Sequence, residues 1–129
     1  MQTAINRILA NNFLNNRWKY RLPAILWAVF ILVLSLLPTT GAPKIHVPHF
    51  DKIVHFFMYG IFSLTLLFDF YKENVRYPGV KALIAASLYG LLVEWLQSFT
   101  VYRSFEWADF LSNVLGALSV VLFYKKRVI

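Results

Sequence analysis

VKALIAASLYGLLVEWLQSF, residues 80–99, decides the fold. Its charges are Lys81 near one end and Glu94 near the other. A bilayer core about 30 Å thick needs about 17–25 mostly apolar residues in a helix, and this stretch supplies them. A small soluble domain has too much surface to hide such a run. Three further stretches qualify. Residues 22–37 are opened by Pro23 and stopped by Pro38, residues 53–70 follow, and residues 107–124 contain Asp109 and Asn113. Proline suits a first helical turn and opposes continuation at the far end. The links 39–52, 71–79 and 98–106 are short, which makes successive helices antiparallel neighbours. The expected architecture is all-α: an integral membrane bundle of four transmembrane helices over residues 22–124. An N-terminal segment, 1–21, precedes it and a basic tail, 125–129, follows. Pro38, not a small-residue cleavage site, ends the first apolar run, so that helix is expected to stay in the protein.

Composition agrees. Of 129 residues 59% are hydrophobic and 15% charged, against about 45–50% and about 25% in soluble domains. The absence of cysteine excludes disulfides, thiol catalysis and thiolate metal sites. A net charge of +7 raises a nucleic-acid partner, but topology accounts for the basic residues. Arg7, Arg17, Lys19 and Arg21, then Lys72, Arg76 and Lys81, then Lys125, Lys126 and Arg127 all fall on one side, leaving Lys44, Lys52 and Arg103 on the other. The positive-inside rule then puts both termini in the cytoplasm of a multi-pass protein of the cell (inner, cytoplasmic) membrane, with no nucleic-acid partner. Trp18, Tyr20, Tyr71, Tyr77 and Tyr124 would lie at the inner interface, and Trp95, Tyr102 and Trp107 at the outer one. In residues 1–21, Ile5, Ile8, Leu9 and Phe13 recur at helical spacing, which suits an amphipathic helix on the inner leaflet or a frayed polar tail. Ala82, Ala86 and Gly90, and Ala108, Ser112 and Gly116, repeat every fourth residue and predict a close seam between the last two helices.

The polar residues gather at the outer end. Asp51, Glu94, Glu106 and Asp109 map there, as do His46, His49 and His55, while Asp69 and Glu73 map inside. Asp51, His55 and Tyr59 stack on one helix face, Glu94 and Gln97 share a face with Gly90, and Asp109, Asn113 and Gly116 share another. Three stripes on three helices are expected to converge on one interior cavity. Glu94 lies roughly 6 Å inside its span. A charge at a helix centre costs about 2.5–3.5 kcal/mol on insertion scales, so Glu94 should find a partner among Arg103, Lys52 and His55. Tyr59 is expected to be core packing, and His46 and His49 solvated loop residues.

These residues resemble a known family. Asp51-Lys52-Ile53-Val54-His55-Phe56 with Tyr59 is similar to the D-K-x-x-H-F-x-x-Y segment of VanZ-like membrane proteins. Gly90 to Gln97 resembles their G-x-x-x-E-x-x-Q segment, and Arg103, Asp109, Asn113 and Gly116 their R-x5-D-x3-N-x2-G segment. The resemblance spans roughly residues 22–124 and implies the four-helix membrane fold. The family's namesake is linked to low-level teicoplanin resistance, and the family supplies no proven catalytic residue. Leu37-Pro38-Thr39-Thr40-Gly41 also matches the sortase pattern, but cleavage there would sever the first helix from the rest, so the match reads as coincidence.

Three functions compete. The first is recognition of an envelope lipid or lipid-linked cell-wall precursor, undecaprenyl-linked or otherwise anionic. Arg103 would take a phosphate, Lys52 and His55 would add positive charge, and Asp51, Glu94, Gln97, Asp109 and Asn113 would orient these groups or meet hydroxyls. The second is a membrane-embedded hydrolase or transferase using His55, Glu94 and Asp109, with His55 as base or the three holding a divalent metal. No H-E-x-x-H and no nucleophile motif supports it, so the reading leans away from an enzyme and assigns no metal and no cofactor. The third is an ionic network that only locks helix ends, with function in partner contacts. A proton or ion pathway would need polar residues at several depths, and the inner half is almost wholly apolar. A homo-oligomer is neither selected nor opposed.

Overall fold

A computed structural model describes residues 1–13, 17–38 and 48–124. His46, Lys44, most of the sortase-like pattern and the tail 125–129 lie outside them. Five helices follow one another: α1 (Gln2–Phe13), α2 (Arg17–Leu36), α3 (Phe50–Lys72), α4 (Pro78–Gln97) and α5 (Trp107–Phe123). The described residues contain no strand.

Three of these, α2 from Trp18, α3 and α4, are long and apolar enough to cross a membrane. The expected fourth span, α5, has 17 residues. At 1.5 Å per residue it is about 25 Å long, a little under the hydrocarbon thickness. The surface has the composition of a lipid-facing one: Leu26, Phe30, Val33, Phe57, Ile61, Ile84, Leu88, Leu92 and Leu111 are exposed. Polar side chains are buried instead, with Ser63, Glu94, Gln97 and Asn113 at 0–1% exposure. That inversion, with the three long spans, points to a membrane protein.

Helix starts differ from expectation at Pro23. It sits inside α2, not at its opening. Proline there forgoes one backbone bond. The turn before it is held instead from outside, because Arg21 Nε lies 3.5 Å from Asp69 Oδ2 and Arg21 Nη2 lies 3.9 Å from Glu73 Oε2 on α3. α4 does open on a proline, Pro78, after Tyr77 in the left-handed region at φ 54°. α3 ends with Asn74 at φ 54° and the Val75 N–H donating to the Phe70 carbonyl at 3.0 Å, a termination that asparagine tolerates.

α3 is the central helix, packed against α2, α4 and most extensively α5. Ile31, Tyr59, Phe62, Ala86, Val93 and Ala117 form the core. Side chains donate across helices to backbone carbonyls: Trp27 Nε1 to Met58 at 2.8 Å, Tyr89 Oη to Ala28 at 2.6 Å and Ser63 Oγ to Ala117 at 3.2 Å.

The closest approach is α3 against α5. A Cβ on Gly116 would stand 2.0 Å from the Phe56 carbonyl oxygen and 2.8 Å from its carbon. Only glycine lets the two backbones touch there. The small-residue seam is therefore revised. Ala82, Ala86 and Gly90 are buried as expected, but Ala108 is exposed and Gly116 serves α3, not α4. The buried stripe of α5 runs instead through Asp109, Asn113, Gly116, Ala117 and Val121. This stripe winds with the helix, whereas a strict four-residue repeat drifts off the contact face.

Candidate functional site

Antiparallel packing brings one set of helix ends together: the start of α3, the end of α4, the 98–106 link, the start of α5 and the end of α2. The Phe56–Gly116 contact sets the register. One residue before it on α3 is His55, and three residues before it on α5 is Asn113. His55 Nδ1 lies 2.9 Å from Asn113 Oδ1. An amide oxygen only accepts, so Nδ1 is the donor in this contact.

The three polar stripes meet. His55 Nε2 lies 3.6 Å from Asp109 Oδ2, and His55 Nδ1 lies 3.8 Å from Glu94 Oε1. Glu94 is fully buried. Its Oε2 accepts weakly from the Glu106 backbone N–H at 3.5 Å, and its Oε1 has no hydrogen-bond partner among the described residues. The Asn113 amide nitrogen is likewise buried without a partner. Gln97 faces the other way and donates to the Ser35 carbonyl at 2.9 Å, tying α4 to the end of α2.

The two cations near the site have different surroundings. Lys52 Nζ is gripped by carboxylates, 2.6 Å from Glu106 Oε2, 2.6 Å from Asp109 Oδ1, and paired with Asp51 as well. It joins α3 to the link and to α5, and its side chain is 21% exposed. Asp51 and Asp109 also stand in the first turns of α3 and α5, where a negative charge favours the helix dipole. Arg103 is half-buried and makes no ion pair or hydrogen bond among the described residues. It was an expected partner of Glu94; His55 is closer.

A polar cavity of about 270 Å³ opens above this floor, lined by Asp51, His55, Gln97, Tyr102, Arg103 and Asp109, among others. A second, mostly apolar cleft of about 240 Å³ between α2 and α3 is lined by Ile31, Leu34, Val54 and Met58. His55 and Arg103 line both. Thus Asp51, Lys52, His55, Glu94, Gln97, Arg103, Asp109 and Asn113 come to one end of the bundle. Tyr59 lies deeper, 2% exposed in the core, and His49 is an exposed residue just before α3. Glu106 was not singled out by sequence. Its signal was its place directly before an apolar helix, three residues after Arg103, where its backbone N–H and its carboxylate both reach the cluster.

No solved structure matches this chain. A relative in Schizosaccharomyces pombe, "Uncharacterized protein C11E3.10", is 35% identical over 104 residues, which are 78% of this chain and 64% of the relative. The chain therefore spans a little under two thirds of that relative's length. The family model described as VanZ/LLP1 matches residues 3–129, nearly the full length, and its match takes in each helix that builds the cluster. The chain belongs to the VanZ/LLP1 family.

Proposed function

We propose that the protein binds the phosphate-bearing head group of a membrane lipid, with its polar cavity under the extracytoplasmic surface. The observation that carries this is Arg103. A guanidinium with no hydrogen bond or ion pair among the described residues lines both a polar cavity and an apolar cleft. That pairing of surfaces suits an amphiphile, with phosphate at Arg103 and a chain between α2 and α3. Arginine binds phosphate through a planar fork of donors.

In this reading α5 is the fourth span, α1 lies on the inner leaflet and both termini are cytoplasmic. The basic residues of α2, the 71–79 link and the tail support that orientation. The membrane would be the inner, cytoplasmic one in a bacterial cell.

The test is lipid binding by the purified protein in nanodiscs containing phosphatidylglycerol or phosphatidylethanolamine. Arg103→Ala should weaken the bound lipid about 10–100-fold, the worth of a charge-assisted hydrogen bond or two. It should change the thermal midpoint little, because Arg103 makes no hydrogen bond or ion pair among the described residues and acts on Glu94 only at longer range. Unaltered lipid retention would refute the proposal.

A second reading, the helix-end lock, is favoured by Lys52, which ties together Asp51, Glu106 and Asp109. The two readings use different residues and can hold together.

A further inference from the structure

We propose that His55, Glu94 and Asp109 form a binding site for one divalent cation on the floor of the cavity. A ring nitrogen of His55 and one oxygen from each carboxylate lie within 4.8 Å of one another. Ligands held at about 2.0–2.2 Å from one ion stand about 3–3.6 Å apart, so the widest pair need close by only about 1 Å. The His55–Asp109 separation, 3.6 Å, already fits.

Two observations beyond the grouping point to a cation. The first is the gap between His55 Nε2 and Asp109 Oδ2: at 3.6 Å the two face each other without a hydrogen bond, at the spacing of two ligands of one ion. The second is Glu94, whose side chain is 1% exposed and whose Oε1 is buried without a hydrogen-bond partner among the described residues, 3.8 Å from His55 Nδ1. A buried carboxylate oxygen left unmatched is costly, and a metal ion satisfies it.

The cluster is rich in carboxyl groups, with Asp51, Glu94, Glu106 and Asp109 gathered about Lys52, Arg103 and His55. Asp51, Glu106 and Asp109 also cluster, but the Lys52 ammonium already occupies their centre, so that trio is not the site. One imidazole and two carboxylates, with no thiolate, suit Zn²⁺ or Mn²⁺. Asn113 would hold the imidazole in its ligating tautomer, as outer partners of metal-bound histidines do. This inference uses no lipid and is tested without one.

The experiment is metal titration of the full chain in detergent after dialysis against EDTA. Bound Mn²⁺ is read from loss of the free-ion EPR signal, and bound Zn²⁺ from metal analysis after gel filtration. One ion per chain is expected, with a rise in the thermal midpoint. Glu94→Gln, which keeps the shape of the buried side chain, and His55→Gln should each weaken binding about 100-fold or more, and Asn113→Ser about 10–100-fold. Asp51→Asn should bind like the parent. No stoichiometric ion in the parent would overturn the proposal. So would equal affinity in Glu94→Gln and His55→Gln, which would mean ions held elsewhere on the surface.

Discussion

Replacing Gly116 with alanine should break the contact on which both the fold and the cluster depend. The added methyl would stand 2.0 Å from the Phe56 carbonyl oxygen, 2.8 Å from its carbon and 3.1 Å from its Cα. All three are backbone atoms, so no side chain can swing aside. Normal contact lies beyond about 3.4 Å, so α3 and α5 must part by more than 1 Å. Overpacking of a tight core costs about 1–3 kcal/mol, and a backbone-to-backbone clash belongs at or above the upper end. Gly60 is the internal comparison. Its Cβ would meet the Gly116 oxygen at 3.4 Å, an ordinary contact, so Gly60→Ala should cost less than about 1 kcal/mol. Thermal unfolding in a mild detergent, followed by tryptophan fluorescence, compares the two. A second readout reports on the site: with the helices parted, the 2.9 Å bond from His55 to Asn113 should be lost, shifting the imidazole NMR resonances. A Gly116→Ala protein as stable as Gly60→Ala would refute the packing argument. So would one with an unshifted imidazole.

Lys52→Met removes the charge shared by Asp51, Glu106 and Asp109; it should cost about 2–3 kcal/mol in a chemical denaturation, less than a fully buried pair because the side chain keeps 21% exposure. Adding Asp109→Asn should make the double variant less damaged than the sum of the singles. Gln97→Leu loses the donor to the Ser35 carbonyl and should lower stability by about 1 kcal/mol, read in the same unfolding assay. A cysteine at Val101, 96% exposed, should react with an impermeant thiol reagent added outside intact cells, and one at Asn74 should react only after permeabilisation; the reverse pattern would overturn the orientation.

The helices and the convergence of their polar faces were legible because both follow from one-dimensional patterns. Apolar length marks a span, and spacing by three or four marks a shared face, so His55, Glu94 and Asp109 could be placed together before any coordinates. What could not be read were the distances that depend on how helices turn about each other. Gly116 looked like one member of an alanine–serine–glycine ladder, because a sequence repeat does not say which neighbour it meets. Pro23 looked like a helix start, because the ion pair from Arg21 to Asp69 and Glu73 spans some fifty residues of chain. Arg103 and Lys52 were interchangeable in sequence as cations near acids. Only their reach separates them: Lys52 leaves α3 towards the first turn of α5, whereas Arg103, on the 98–106 link, makes no ion pair with a carboxylate among the described residues.

Asp109 is where the lock and the site share an atom group. Its Oδ1 is held by the Lys52 ammonium at 2.6 Å, and its Oδ2 faces His55 Nε2 at 3.6 Å. A carboxylate is planar, so fixing one oxygen fixes the direction of the other. Lys52 thereby orients the oxygen presented to the imidazole, while Asn113 orients the imidazole from the other side. The His55–Asn113 contact sits within a helical turn of the Phe56–Gly116 contact and the Lys52–Asp109 pair within two turns. A network serving stability alone would satisfy its most buried acid first. Here Lys52 goes to the outer three carboxylates, and Glu94, the most deeply buried of the four, keeps an unmatched oxygen against the imidazole. That ordering is costly for a lock, and it fits a floor prepared to receive a cation.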